Sequence, residues 1–380
     1  MSYSCPSAPA DGGWLLSGYP TLKYGQPLRK HMSEPAEYDV AVVGGGPAGL
    51  TAALYTTRLG HTTALVDRGG GRAAMMQDTH NVIGVTEDTS GNEYLQTGLQ
   101  QVKAYGADHY RDLVTEAEHT DDGRVSLEGN NTSIVAESVV LATGFTDGHP
   151  DPPAPRTARG LHYCLHCDAY MFVDAPVYVM GNDSSAAHVA MIMLNFTDEV
   201  DVLLNGDEPE WGEETDTQVR AHPVGVVEEE VTGVENDDDG WLEALEFADG
   251  RRREYRGGFA MYGSEYNTDL AEQLGCELND DGTVAVDDHG RTSVDGVMAV
   301  GDVVPGHNQV PVAMGMGAKA GIAIHYDLRT FPMSLEELAA ADELTRADAP
   351  GIPAELREHA RGHESNVAVD APGSEASADD

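Results

Sequence analysis

At 380 residues, with 65 acidic against 22 basic side chains and a net charge of −43, the chain is long enough for two ordinary domains with separate cores. It has no basic stripe to neutralise phosphates, which excludes nucleic acid as a ligand, and no run of 18 apolar residues to span a membrane. Four cysteines, Cys5, Cys164, Cys167 and Cys276, are too few for a secreted disulfide framework. No basic-then-apolar signal opens the chain, so a cytoplasmic protein is expected.

The acidity carries its own expectation. The runs Glu228–Glu230 and Asp237–Asp239, with only four lysines in the chain, make the fold self-repelling in dilute buffer. In molar salt the Debye length falls to roughly 3 Å and the repulsion is screened. An acidic surface adapted to a salty cytoplasm, hence a halophile, is the expectation; an acidic docking face for a basic partner is the alternative.

Residues 1–35 read as an irregular leader rich in Gly, Pro and Ser, with Met32 an alternative start. The first strand is the apolar run Tyr38–Val43, suited to a buried parallel sheet. It flows into Gly44-Gly-Gly-Pro-Ala-Gly49 and a helical segment from about Leu50 to Leu59. This is G-x-G-x-x-G between strand and helix. Gly44 allows the tight turn, Gly46 lets backbone approach a pyrophosphate, and Gly49 packs helix on strand. Pro47 and Ala48 lie at the start of that helix, where free N–H groups face the phosphates. A second strand, Thr63–Asp67, ends in an acid placed for a ribose.

Val139–Gly144 reads as another buried strand ending in a glycine turn, just before the Pro-rich connection 150–155. Next comes Cys164-Leu-His-Cys167. A lone C-x-x-C in a cytosolic chain is read as redox. Zinc would need further ligands, and His162 and His166 would crowd a tetrahedral site. A second strand-turn-helix, Val177–Ala187, keeps Gly181 but carries Asp183 at the middle glycine, and Ala186 replaces the packing glycine. No Arg or Lys occurs between Val200 and Gln218, where a 2′-phosphate would need cations. A second nucleotide-binding fold is therefore expected with degraded ligand contacts: NADPH is disfavoured and NADH unsupported. Downstream, Gly296–Val303 is a strand ending in Gly301-Asp302, followed by a small-residue helix, Val312–Ile324. Asp302 can bond a polyol hydroxyl. The segment from Gly362 to Asp380 is an acidic tail, expected to be disordered.

Gly44–Gly49, Asp67, Ala142-Thr143-Gly144, Cys164-Leu-His-Cys167-Asp168 and Gly301-Asp302 together resemble the thioredoxin reductase family of two-domain flavoproteins, over roughly residues 38–330. The resemblance extends to a flavin loop at Gly70–Gly84, where Asn81 matches the family's asparagine and Arg72 stands in place of its glutamine. It also covers Gly263–Thr268 and the segment Asn308-Gln309-Val310, of which Gln309 alone is kept. It implies an α/β fold of two Rossmann-like, three-layer nucleotide-binding domains, the second inserted in the first. Residues 36–150 and 259–333 would form the FAD-binding domain, 156–258 the inserted domain carrying the C-x-x-C, and 334–380 a C-terminal helix and acidic tail.

The implied cofactor is FAD, with NAD(P)H left open. Its implied contacts are Gly44, Gly46, Pro47, Ala48, Gly49, Asp67, Arg68, Gly71, Arg72, Asn81, Ala142, Thr143, Gly144, Gly301, Asp302, Gln309 and Val310. By the same resemblance Cys167 is the thiol beside the flavin, Cys164 the outer thiol that exchanges with substrate, and Asp168 the acid/base. The segment His162–Asn205 is most similar to the branch acting on small dithiols such as gliotoxin and holomycin. Expected partners are a small dithiol or disulfide, or a thioredoxin-like protein, with ferredoxin as an electron carrier; a homodimer is implied. A non-catalytic flavin-bound redox sensor, an NAD(P)H-dependent thioredoxin reductase and a zinc-stabilised FAD protein are the competing readings.

Overall fold

The structure, a computed structural model, describes residues 34–341 and 343–362. The leader up to residue 33, with Cys5 and Met32, and the acidic tail from residue 363 lie outside the described residues.

The first strand, β1 (Ala36–Val43), is buried at its C-terminal end: Val40, Ala41 and Val42 are fully buried. The glycine turn leads into α1 (Pro47–Arg58), with Pro47 at the first helical position, where its missing N–H costs nothing. There follow β2 (Thr63–Val66), α2 (Gly91–Ala104), β3 (Asp108–Tyr110), β4 (Val114–His119), β5 (Val125–Gly129) and β6 (Ser133–Leu141). Ser90 and Glu93 form a reciprocal capping box at the start of α2, which satisfies two otherwise free N–H groups. The sheet runs β3-β2-β1-β6-β5-β4. It is parallel across its first four members, and β4 and β5 form an antiparallel extension.

β7 (Phe145–Asp147) leaves this sheet. A second one is built from β8 (Leu161–His162), α3 (Leu165–Asp168), β9 (Val177–Met180), α4 (Ser184–Met193), β10 (Val200–Leu203), α5 (Glu213–Ala221) and β11 (Val224–Val227). An antiparallel meander, β12 (Val231–Asn236), β13 (Leu242–Phe247) and β14 (Arg252–Glu254), covers one face. β15 (Gly257–Ala260) then completes an all-parallel order β11-β10-β9-β15-β8. Each face of both sheets is covered by an apolar cluster, as buried parallel sheets require.

The chain returns through β16 (Ser264–Tyr266), which pairs antiparallel with β7, so the outgoing and incoming crossings form one ribbon. After α6 (Asp269–Gln273), β17 (Val297–Ala299) pairs with the second half of β6. α7 (Val310–Leu328) packs on α1 through its glycines: a Cβ on Gly317 would lie 2.2 Å from the Ala48 carbonyl oxygen. Two short helices, α8 (Leu335–Ala340) and α9 (Ala354–Gly362), end the described chain where one C-terminal helix was expected. No helix among the described residues is long and apolar enough to cross a membrane.

Candidate active site

The three glycines of the first loop have three different environments, as their motif positions predict. Gly44 has φ +109°, and a Cβ there would meet the Ala142 carbonyl oxygen at 2.3 Å. On Gly49 a Cβ would lie 1.9 Å from the Gly44 oxygen, so this residue fixes how closely α1 sits on the loop. Gly46 faces open space. It borders a cavity of about 910 Å³, at the upper end of the usual ligand range of ~300–1,000 Å³. Asp67 accepts hydrogen bonds from the Gly45 and Gly69 N–H groups, both at 3.0 Å.

Every residue expected to hold FAD lines this cavity except Gly49, whose part is packing. Arg68, Gly71, Thr143, Gly144, Gly301 and Val310 are on its wall. Asp302 is only partly exposed, and among the described residues no donor hydrogen-bonds its carboxylate. Burial, and secondarily the Asp147 carboxylate, push its pKa up, while Arg72 opposes them. A half-buried acceptor without a protein donor suits a ligand hydroxyl. Arg72 is held by Asp147 at 2.9 Å and lies over the Phe145 ring, so the loop residue that departs from the family pattern is tied to the β7 ribbon. With open space at Gly46, free N–H groups at the start of α1 and an acceptor at Asp302, the residues fit FAD.

Cys164 and Cys167 are joined as a disulfide in the same cavity. Cys164 caps α3, and its Sγ accepts from the Cys167 N–H at 3.1 Å. Gln309 Nε2 reaches Cys164 Sγ at 3.3 Å, and Gln309 Oε1 accepts from Asn81 Nδ2 at 2.9 Å. Asn81 therefore holds Gln309, the residue that caps α7, where it meets the disulfide. Asp168 Oδ2 lies 2.8 Å from His162 Nδ1, a contact the sequence did not announce. Among the described residues the free cysteine is Cys276, which is buried; its Sγ contacts the Thr292 hydroxyl at 3.5 Å, away from this cavity.

The second glycine loop differs physically. Asp183 is the N-cap of α4: its Oδ1 accepts from the Ser185 and Ala186 N–H groups, each at 3.0 Å. Those are the amides a pyrophosphate would use. The acidic segment after β10 also folds onto the loop. Glu210 N–H donates to the Asn182 carbonyl at 2.7 Å, and Asn182 Nδ2 donates to the Glu208 carbonyl at 3.2 Å. Trp211 anchors this segment in the core.

With one all-parallel and one largely parallel sheet, each covered on both faces, a glycine-loop cavity and a disulfide facing it, the class is defined. The pattern of the pyridine nucleotide-disulphide oxidoreductases matches residues 38–317, and the chain belongs to that family. The thioredoxin reductase of Peptoclostridium litorale is 29% identical over 306 residues, spanning 75% of this chain and 95% of that protein. The NADH dehydrogenase of Bacillus subtilis (strain 168) is 32% identical over 303 residues, spanning 77% of this chain and 59% of that one. Among solved structures, HlmI superposes with a TM-score of 0.72 at 30% identity, covering 81% of this chain and 96% of that one. The putative thioredoxin reductase TrxB of Bacillus anthracis gives 0.70 at 28% identity, covering 77% and 98%. The protein is a thioredoxin reductase-like, FAD-dependent disulfide oxidoreductase.

Proposed function

We propose that this enzyme moves electron pairs between a small dithiol or disulfide and FAD through Cys164 and Cys167, without NADPH as its working donor. One observation carries the reading: the disulfide shares a cavity with the glycine loop, Asp302 and Gln309. In the oxidising direction a substrate thiolate attacks Cys164 Sγ, the Cys164–Cys167 bond breaks, and Cys167 leaves as a thiolate. The second substrate thiolate then displaces Cys164. The substrate ends as a disulfide and the protein as a dithiol, with Asp168 protonating a departing sulfur. When bound, FAD supplies the two-electron chemistry that re-forms the protein disulfide.

The proposed FAD contacts are the residues predicted for it, with segments 36–150 and 259–333 forming that domain around the inserted 156–258. A thioredoxin-like protein is the second reading of the substrate, supported by Tyr170, which stands 84% exposed just after the cysteine pair, and by the thioredoxin reductase relatives. A dithiol or a protein carrier such as ferredoxin would supply electrons in place of NADPH. We place the enzyme in a salty cytoplasm, as a homodimer.

The test is a pair of serine substitutions. Cys164→Ser should strand Cys167 as a thiolate and give a long-wavelength charge-transfer band with the oxidised flavin. Cys167→Ser should give none, and both should abolish dithiol-driven flavin reduction. Unchanged turnover and spectra in both variants would make the pair structural.

A further inference from the structure

His162 lies on β8, two residues before Cys164, and its side chain is 5% exposed. The ring packs against Phe172 and Phe259, with centroids 5.3 and 6.2 Å away. Nδ1 sits 2.8 Å from Asp168 Oδ2, while Nε2 is buried with no hydrogen-bond partner. Buried polar atoms are nearly always paired, so a histidine placed this way in a phenylalanine pocket calls for a reason. The elements around it hold few other titratable groups. On α3 they are Asp168, the exposed His166 and, once reduced, Cys167; beyond it is the exposed Tyr170, and β15 has none. Tyr163, next in sequence, bonds His149 instead.

Resting on the function proposed above, we infer that His162 is the positioning residue of Asp168: its Nδ1–H holds Oδ2, leaving Oδ1 to carry the proton given to the departing cysteine or substrate thiolate. The one-sided burial selects the tautomer. With the ring proton on Nδ1, the apolar pocket contains a bare acceptor at Nε2 and no unpaired N–H. The Nδ1–H···Oδ2 bond then survives in both protonation states of Asp168, since the proton enters and leaves at Oδ1. The carboxyl group need not turn during the transfer. As sulfur departs it gains the proton, Asp168 becomes a carboxylate, and that new charge falls on an oxygen already bonded to a donor. His162 touches neither sulfur and acts through Asp168.

Two variants separate positioning from packing. His162→Phe keeps an aromatic ring between Phe172 and Phe259 but removes the donor. His162→Asn keeps a donor near the Nδ1 position. In anaerobic dithiol reduction of the flavin, His162→Phe should be about 10- to 100-fold slower than wild type, the scale of a compromised acid/base, and His162→Asn within about threefold. Independently of substrate and flavin, iodoacetamide alkylation of the reduced protein should be followed against pH. Asp168 adjoins Cys167 in sequence, so loss of its donor should change the profile in His162→Phe and leave it as in wild type in His162→Asn. If His162→Phe matches wild type in both measurements, or His162→Asn matches His162→Phe, the assignment is overturned. A wild-type protein that no dithiol reduces would instead overturn the substrate reading, and the alkylation profiles would still decide the role of His162.

Discussion

Asp302 combines a proposed binding role with a folding penalty, and the two can be measured separately. Its pKa is raised by burial first and by Asp147 second. The folded protein therefore holds this proton to higher pH than the unfolded chain does. Its contribution to stability falls as pH rises from the unfolded value, roughly 3.9, through the raised folded value. At neutral pH the ligand-free protein carries the cost of a desolvated carboxylate, and below pH ~4 that cost disappears. Asp302→Ala should leave the ligand-free melting temperature at pH 7 equal to or above that of wild type, with the advantage shrinking toward pH 4. The same change should weaken FAD by about 10- to 100-fold, since a charge-assisted hydrogen bond contributes about 1.5–3 kcal/mol. Flavin-fluorescence titration reads the second effect, and an unchanged dissociation constant would remove Asp302 from the cofactor site.

At the level of elements, the two strand-turn-helix units make a matched comparison. α1 offers its first amides to open space beyond Gly46, whereas α4 has its own Asp183 bound to them. Asp183→Gly should cost little stability, because glycine replaces an N-cap residue at only a few tenths of a kcal/mol. It should free the amides for a pyrophosphate. Wild type should show no flavin reduction by micromolar NADPH within seconds under anaerobic conditions. Asp183→Gly should gain more with NADH than with NADPH, because no Arg or Lys lies between Val200 and Gln218. Rapid wild-type reduction by NADPH would overturn this reading of the second loop.

The same comparison explains what could be read in the sequence. Gly44, Gly49 and Asp183 act within a few residues of themselves, through a positive φ, a backbone approach that leaves no room for a Cβ and a helix cap, so residue type and spacing suffice. Arg72 with Asp147, 75 residues apart, Asn182 with Glu208, 26 apart, and His162 with Asp168 depend on how strands and loops are brought together. Of these, His162 and Asp168 left a trace beside the cysteine pair, with no hint that they touch. Arg72 registered as a departure from a family pattern, with no hint of its partner.

For the whole molecule, charge is the dominant feature. A net charge of −43 on one chain opposes compaction in dilute buffer, and counter-ions relieve it. Raising KCl from about 0.05 to 2 M should raise the melting temperature by about 5–10 °C, about 4–8 kcal/mol for a chain of this size. Differential scanning fluorimetry at fixed pH would measure it. A flat or falling trend would mean that the acidic surface is not a salt adaptation, and an acidic face for a basic partner would become the better account.

The β7–β16 ribbon has an implication for protein engineering. Asp147 and Ser264 are direct partners across it, so the segment between them departs and returns at almost the same point in space. A two-residue reverse turn, the commonest way to join antiparallel strands, could replace residues 148–263 without moving either end. The segment between the two strands should in that sense behave as a cassette, open to deletion, or to exchange for that of another disulfide oxidoreductase, through one hairpin junction rather than two separate splices.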